Sequence, residues 1–252
     1  MSVSAGDIVL LGAAGLVAGT VGSAGGTASL VSYPALLAVG LAPFQANVTN
    51  SIAFVANWPG SALGSRPELR GRGLWLRRWA SVAAAGGVSG AVVLLMTPRG
   101  VFDAVVPYLV ASAALALLFQ PKISAWEKSH SSSHGALVLP CGLLAVGFYD
   151  GYWGAGSGVM AVAVLLLTVE KNFARANALK NMLLGASDIV VAVVFMLFGP
   201  VHWSAALPMA AGWVVGSAIG PSITRRVSGD TLRVLVGLAG LGLAAKLWLA
   251  PG

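Results

Sequence analysis

The chain has 252 residues, 57% of them hydrophobic and 9% charged, with a mean hydropathy of +0.85 and a formal net charge of +7. A soluble domain carries about 25% charged residues, so this chain has too few polar groups to cover a water-facing surface and is predicted to be a polytopic membrane protein. Its basic residues stand in short clusters between apolar runs, the pattern of cytoplasmic membrane loops, which excludes nucleic acid as a partner.

A span needs about 20 apolar residues, fewer where it is broken or re-entrant. Ten segments qualify in chain order: 7–24, 27–41, 45–64, 78–96, 101–119, 135–152, 157–169, 174–198, 203–222 and 231–249. The first has no basic n-region or cleavage site and is expected to be retained as a span. The second and seventh are short. Residues 1–120 and 135–252 then form two halves of five segments each, joined by a serine-rich linker at 121–134. The linker holds His130 and His134, expected to be solvated, and the single cysteine, Cys141, is expected to be a small buried residue; one cysteine excludes an internal disulfide and a thiolate metal cluster. His202 and the tryptophans Trp58, Trp75, Trp79, Trp203 and Trp248 are expected at the membrane interfaces.

Charge sets the sidedness. Arg66, Arg70, Arg72, Arg77 and Arg78, then Lys122 and Lys128, then Lys171 and Arg175, then Arg225, Arg226 and Arg233 all fall on one side when the chain is threaded as ten crossings. The positive-inside rule makes that side cytoplasmic and puts both termini outside. Five segments per half invert the second half relative to the first. The sidedness is the same if short segments turn back as re-entrant hairpins.

Two glycine ladders organise these halves. Gly15, Gly19, Gly22 and Gly26 recur, at a constant offset, as Gly147, Gly151, Gly154 and Gly158. Glycine-interrupted segments at corresponding places in two halves point to a transporter's binding site. Helix starts exposed by such breaks would present backbone N–H groups to an anion. Gly15-xxx-Gly19 and Gly147-xxx-Gly151 equally fit close helix packing, whereas the denser clusters, with Ser23 and Gly25 in the first and Gly156 and Ser157 in the second, favour a site.

Asparagines repeat in the same manner. Asn47 and Asn50 in one half, and Asn177 and Asn181 in the other, are three or four residues apart and share a helix face, able to donate to an anionic oxygen or to a neighbouring helix. Lys180 is the basic residue placed well within a span, either to neutralise a bound anion or to snorkel towards the cytoplasm. Asp150 and Asp188 are its acidic counterparts, candidates to carry a coupling proton. Lys180 and Asp188 are too far apart along one helix to pair directly. Tyr149-Asp150 with Gly185-Ala186-Ser187-Asp188 also weakly suggests an intramembrane aspartyl enzyme, a reading that leaves the first half unexplained. An anion channel with the same polar centre, or a non-transporting assembly subunit, are further alternatives.

The paired ladders, the Tyr33-Pro34 after the first, the Ala-Asn helix starts and the arginine-rich central loop together resemble the TauE/SafE family of sulfite exporters and toluene-sulfonate uptake permeases. The resemblance covers the whole chain. By position, Gly22, Gly25, Gly26, Gly154, Gly156 and Gly158 match its glycine breaks. It implies an all-α integral membrane protein of two inverted five-segment repeats with glycine-broken or re-entrant helices. The expected function is a secondary transporter, not an enzyme, exporting a small sulfur oxyanion such as sulfite or an organosulfonate by proton-coupled alternating access, as a multi-pass protein of the cell inner membrane or plasma membrane. Its expected partners are that anion, protons, the lipid bilayer and, in a homodimer, a second copy. Neither cofactor nor metal is expected.

Overall fold

The computed structural model describes residues 4–25, 28–65, 68–129, 137–224 and 229–249. The described residues are helical throughout, with no strand among them. The helices are α1 (Ala5–Gly25), α2 (Ser29–Ala38), α3 (Pro43–Phe54), α4 (Asn57–Gly64), α5 (Gly73–Met96), α6 (Arg99–Ser129), α7 (Val138–Tyr152), α8 (Ser157–Thr168), α9 (Phe173–Phe198), α10 (Trp203–Thr224) and α11 (Gly229–Leu249).

Three differences from the expected segments have local causes. The segment at 45–64 is two helices, because Pro59 has no N–H to give the carbonyl of residue 55 and the chain tightens there: the Trp58 amide bonds Val55 O at 3.0 Å. The predicted linker is helical as far as Ser129, carried by the helix formers Ala125, Glu127 and Lys128; His130 and His134 lie outside the described residues. Cys141 is exposed, not buried. It sits in the first turn of α7, where a weakly polar thiol can face hydrocarbon.

The distribution of side chains is that of a protein in lipid. Val9, Leu74, Met96, Leu197, Phe198 and Leu207 are exposed, while Ser32, Asn47, Thr49, Asn50, Lys180, Ser187 and Ser217 are buried. Bilayer hydrocarbon cannot hydrate polar groups, so they collect inside. The windows Ala5–Gly22, Gly73–Met96 and Arg175–Phe198 are each long and apolar enough to span. At 1.5 Å per residue α2 and α8 reach only about 15–18 Å, roughly half the hydrocarbon thickness. Each packs back on the helix before it.

Close packing joins the two halves crosswise. The first helix of each half lies along the long fourth segment of the other: α1 on α10, and α7 on α5. Glycines make both contacts. A Cβ on Gly15 would strike Met209 O, and one on Gly216 would strike Leu16 O; across the other pair, Gly90 faces Phe148 O and Gly151 faces Gly87 O. Residue numbers rise together along each pair, so both pairs are parallel. α6 and α11 pack together, with Trp248 Nε1 donating to Tyr108 Oη at 3.3 Å. Arg72 meets Glu170 at 3.3 Å, an ion pair between two loops that the charge rule assigns to the same cytoplasmic side.

Candidate functional site: a polar centre at the α7–α8 break

α7 stops at Tyr152 and α8 begins at Ser157. Gly154 and Gly156, between them, have φ of +81° and +87°. These left-handed values cost a side chain about 1–2 kcal/mol, and glycine takes them freely. The turn is tied from all sides. The amides of Trp153 and Gly154 bond Tyr149 O at 2.8 and 3.1 Å. Tyr149 Oη donates to Ala155 O at 2.9 Å. Asn47 reaches across from α3 to donate Nδ2 to Tyr152 O at 3.0 Å. Ser157 Oγ stands 2.6 Å from Asp150 Oδ1 and 2.8 Å from Gly154 O.

The first ladder behaves differently. α1 stays helical through Gly25, so the break expected directly after Gly22 falls later in the chain. Gly22 is needed for room: a Cβ there would lie 2.6 Å from Ala28 Cβ and 3.3 Å from the Trp213 ring. Ser23 and Gly25 are in the last turn of α1, where side chains are not described, and Gly26 lies outside the described residues.

A cavity of about 30 Å³ opens against the start of α8. It is lined by Gly154, Ser157 and Gly158, by Gly22 and Ser29, by Phe54, Asn57 and Trp58, and by Lys180, Asn181, Leu184, Gly185 and Asp188 from α9. One element from each glycine ladder therefore faces the same space. Lys180 is 4% exposed, and among the described residues no carboxylate oxygen lies within 4.0 Å of it; Asp150 and Asp188 act on it through space. This separation agrees with the long helical spacing between Lys180 and Asp188. A second cavity, of about 20 Å³, adjoins the first through Ser29, Phe54, Gly154 and Asp188, and adds Asn50, Ser51, Asp150, Trp153 and Val191.

Several buried polar atoms around these cavities have no protein partner: Asn50 Oδ1, Asn57 Oδ1, Trp58 Nε1, Asp150 Oδ2, Trp153 Nε1 and Ser187 Oγ. Orphaned groups of this kind cost about 1–3 kcal/mol each unless water or a ligand meets them. Of the candidates named from the sequence, Gly22, Gly154, Ser157, Gly158, Lys180, Asn181 and Asp188 line the first cavity, and Asn50 and Asp150 the second. Gly156 shapes the turn and Asn47 braces it. Asn177 is half-buried and lines neither cavity.

Trp58 corrects an expectation. It is not an interfacial anchor; its ring lies against Gly185 and its edge lines the first cavity. Asn57, Phe54 and Ser29 were not among the expected site residues either. The available signal was Pro59, which places a helix start, and so Asn57 and Trp58, at membrane depth. No cluster of three or more His, Cys, Asp or Glu among the described residues is arranged to hold a metal ion.

The family model described as "Sulfite exporter TauE/SafE" matches residues 11–247. The chain belongs to the TauE/SafE family. This member is similar to a "Probable membrane transporter protein" of Haemophilus influenzae, with 27% identity over 95% of this chain and 94% of the relative. It is equally similar, at 27%, to "Probable membrane transporter protein ORF9" of Sinorhizobium sp, over 97% and 93% of the two chains. "Probable membrane transporter protein YfcA" of Escherichia coli K12 is also 27% identical, over 92% and 86%. No solved structure matches. The TauE/SafE protein described here is accordingly a multi-pass inner-membrane transporter, not an enzyme.

Proposed function

We propose that this TauE/SafE protein is a secondary transporter that exports a small sulfur oxyanion, such as sulfite or an organosulfonate, by proton-coupled alternating access. One observation carries the reading: a buried lysine without an ion-pair partner, on the wall of a cavity that also receives the N-terminal end of α8. A helix N-terminus carries about half a positive charge; at α8 the Ser157 and Val159 amides bond Gly154 O and Gly156 O, so Gly158 is the one of the first three residues whose amide has no backbone partner. Together with Lys180 it makes a place where a single negative charge is favoured and a neutral or cationic solute is not. Asn181 and Ser157 supply directional donors, and Gly154 and Gly158 allow the backbone close to the anion.

The two halves are inverted copies in this reading. The parallel α1–α10 and α5–α7 pairs, built on glycines and running in opposite senses under the charge rule, support it. Asp150 and Asp188 face each other beside Lys180, so a proton on either changes the charge that the anion meets. A cavity of about 30 Å³ has room for roughly two waters and is too tight for a sulfonate. Loading a sulfonate therefore needs this space to widen, which supports alternating access over a standing pore.

The test is flux of radiolabelled sulfite or a sulfonate in liposomes, comparing wild type with the Lys180→Ala, Asn181→Ala double variant. The reading expects transport to fall to the protein-free background. Undiminished flux removes both residues from the site.

A further inference from the structure

The two adjoining cavities differ in the polarity of the helix end that each receives. The first is lined by Ser157 and Gly158, the start of α8, and by Lys180. The second is lined instead by Asp150 and Trp153, the end of α7, and by Asn50 and Ser51 from α3. A helix C-terminus carries the opposite partial charge; because Tyr149 O and Tyr152 O are already bonded, the end of α7 offers the cavity its dipole and the Asp150 carboxylate. From this contrast we infer that the second cavity is a binding site for a largely dehydrated monovalent metal cation of sodium's size, held beside the anion.

The ligand set is made of oxygen. Asn50 Oδ1 and Asp150 Oδ2 are buried atoms with no hydrogen-bond donor, on side chains that are 3% and 8% exposed. The Asp188 carboxylate and the hydroxyls of Ser29 and Ser51 complete the wall. Hard cations take such oxygens, and a coupling ion at a broken helix is met by helix C-terminal ends and unwound carbonyls. Charge selects the valence. Once both carboxylates have given up their protons, they and Lys180 close by leave about one net negative charge, which one monovalent ion balances and a divalent ion would overshoot. Size agrees as well, because about 20 Å³ holds one small ion with at most a water or so of its hydration shell. Trp153 Nε1, also without a partner, is a donor on this wall and takes no part in holding a cation.

This inference rests on the proposed polar centre but concerns its cation half, where the ion competes with the coupling proton for the Asp150–Asp188 pair. The experiment uses the full-length protein in detergent and follows thermal unfolding and binding of radioactive sodium. Sodium, potassium and choline chlorides are compared at equal ionic strength. The expected result is a saturable rise in unfolding temperature with sodium, smaller with potassium and absent with choline, and labelled sodium that unlabelled sodium displaces. Asn50→Ala and Asp188→Asn should each lower sodium affinity roughly tenfold or more. Equal behaviour in sodium and choline, with no displaceable sodium on wild type, overturns the inference whether or not the variants fold. A parallel titration with ethanesulfonate as its choline salt reports the anion cavity alone. If the anion binds and sodium does not, the cation site is wrong and the transporter reading stands; if sodium binds and no sulfur anion does, the transporter reading is the one that fails.

Discussion

Replacing Lys180 with methionine separates the two roles that a buried lysine can have. The side chains are similar in length, so the change removes charge with little change in volume. An anion held about 4 Å from the ammonium, at an effective dielectric of about 20, gains roughly 4 kcal/mol from the charge. Part of this is lost again to desolvation of the ion. Measured charged hydrogen bonds net about 1.5–3 kcal/mol, which is roughly a 10- to 150-fold weakening of anion affinity. The unliganded protein should respond in the opposite sense. Lys180 has no ion pair within 4.0 Å to lose, and removing it relieves a burial cost that outweighs the through-space attraction of Asp188 and Asp150. Lys180→Met should therefore unfold at a temperature no lower than wild type while losing most of the stabilisation that sulfite or a sulfonate confers. Both quantities come from one thermal-shift titration. A variant that is clearly less stable but keeps the wild-type anion response would refute the reasoning and make Lys180 a structural residue.

Other substitutions test the surrounding frame. Gly151→Leu drives a side chain into the Gly87 carbonyl and should cost at least the 1–3 kcal/mol of an overpacked core, seen as a lower unfolding temperature, whereas Gly242→Leu meets nothing within 4 Å and should be neutral. Gly156→Ala imposes a left-handed conformation at φ +87° and should lower stability by about 1–2 kcal/mol, even though its Cβ would sit at 3.4 Å from Ala113. Ser157→Ala deprives buried Asp150 Oδ1 of its 2.6 Å hydroxyl and should cost about 1–3 kcal/mol; equal stability would mean that water replaces the hydroxyl. Arg72→Ala should cost under about 1 kcal/mol because the pair with Glu170 is partly exposed, and a double-mutant cycle with Glu170→Gln would measure a coupling of that size.

How far the sequence reveals this molecule varies from one element to the next. Hydrophobic length and the lysine–arginine pattern are properties of single segments, and they located the apolar runs, though not the division of 45–64 at Pro59, and the loops that Arg72 and Glu170 bring together. The α7–α8 break was legible because Gly154 and Gly156 need a backbone that other residues resist. Gly22 looks identical in a sequence but answers to a different demand, the approach of Trp213 from the far half of the chain. No local pattern distinguishes a glycine that turns the chain from one that makes room. The same limit hid Trp58. Its neighbour Pro59 announces a helix start, but the bareness of Gly185, which lets the indole lie over α9, is a fact about two helices together. Lys180 could be read as functional or snorkelling from its position alone, and only the missing ion-pair partner and the cavity wall separate those choices.

The most direct measurement is an experimental structure of the protein with a bromine-labelled alkanesulfonate, located by its anomalous signal. The account predicts sulfonate density between the Lys180 ammonium, the Asn181 side chain and the Gly158 amide at the start of α8, in a cavity wider than the present one. Bound sulfonate found elsewhere, with that space still filled by water alone, would contradict it.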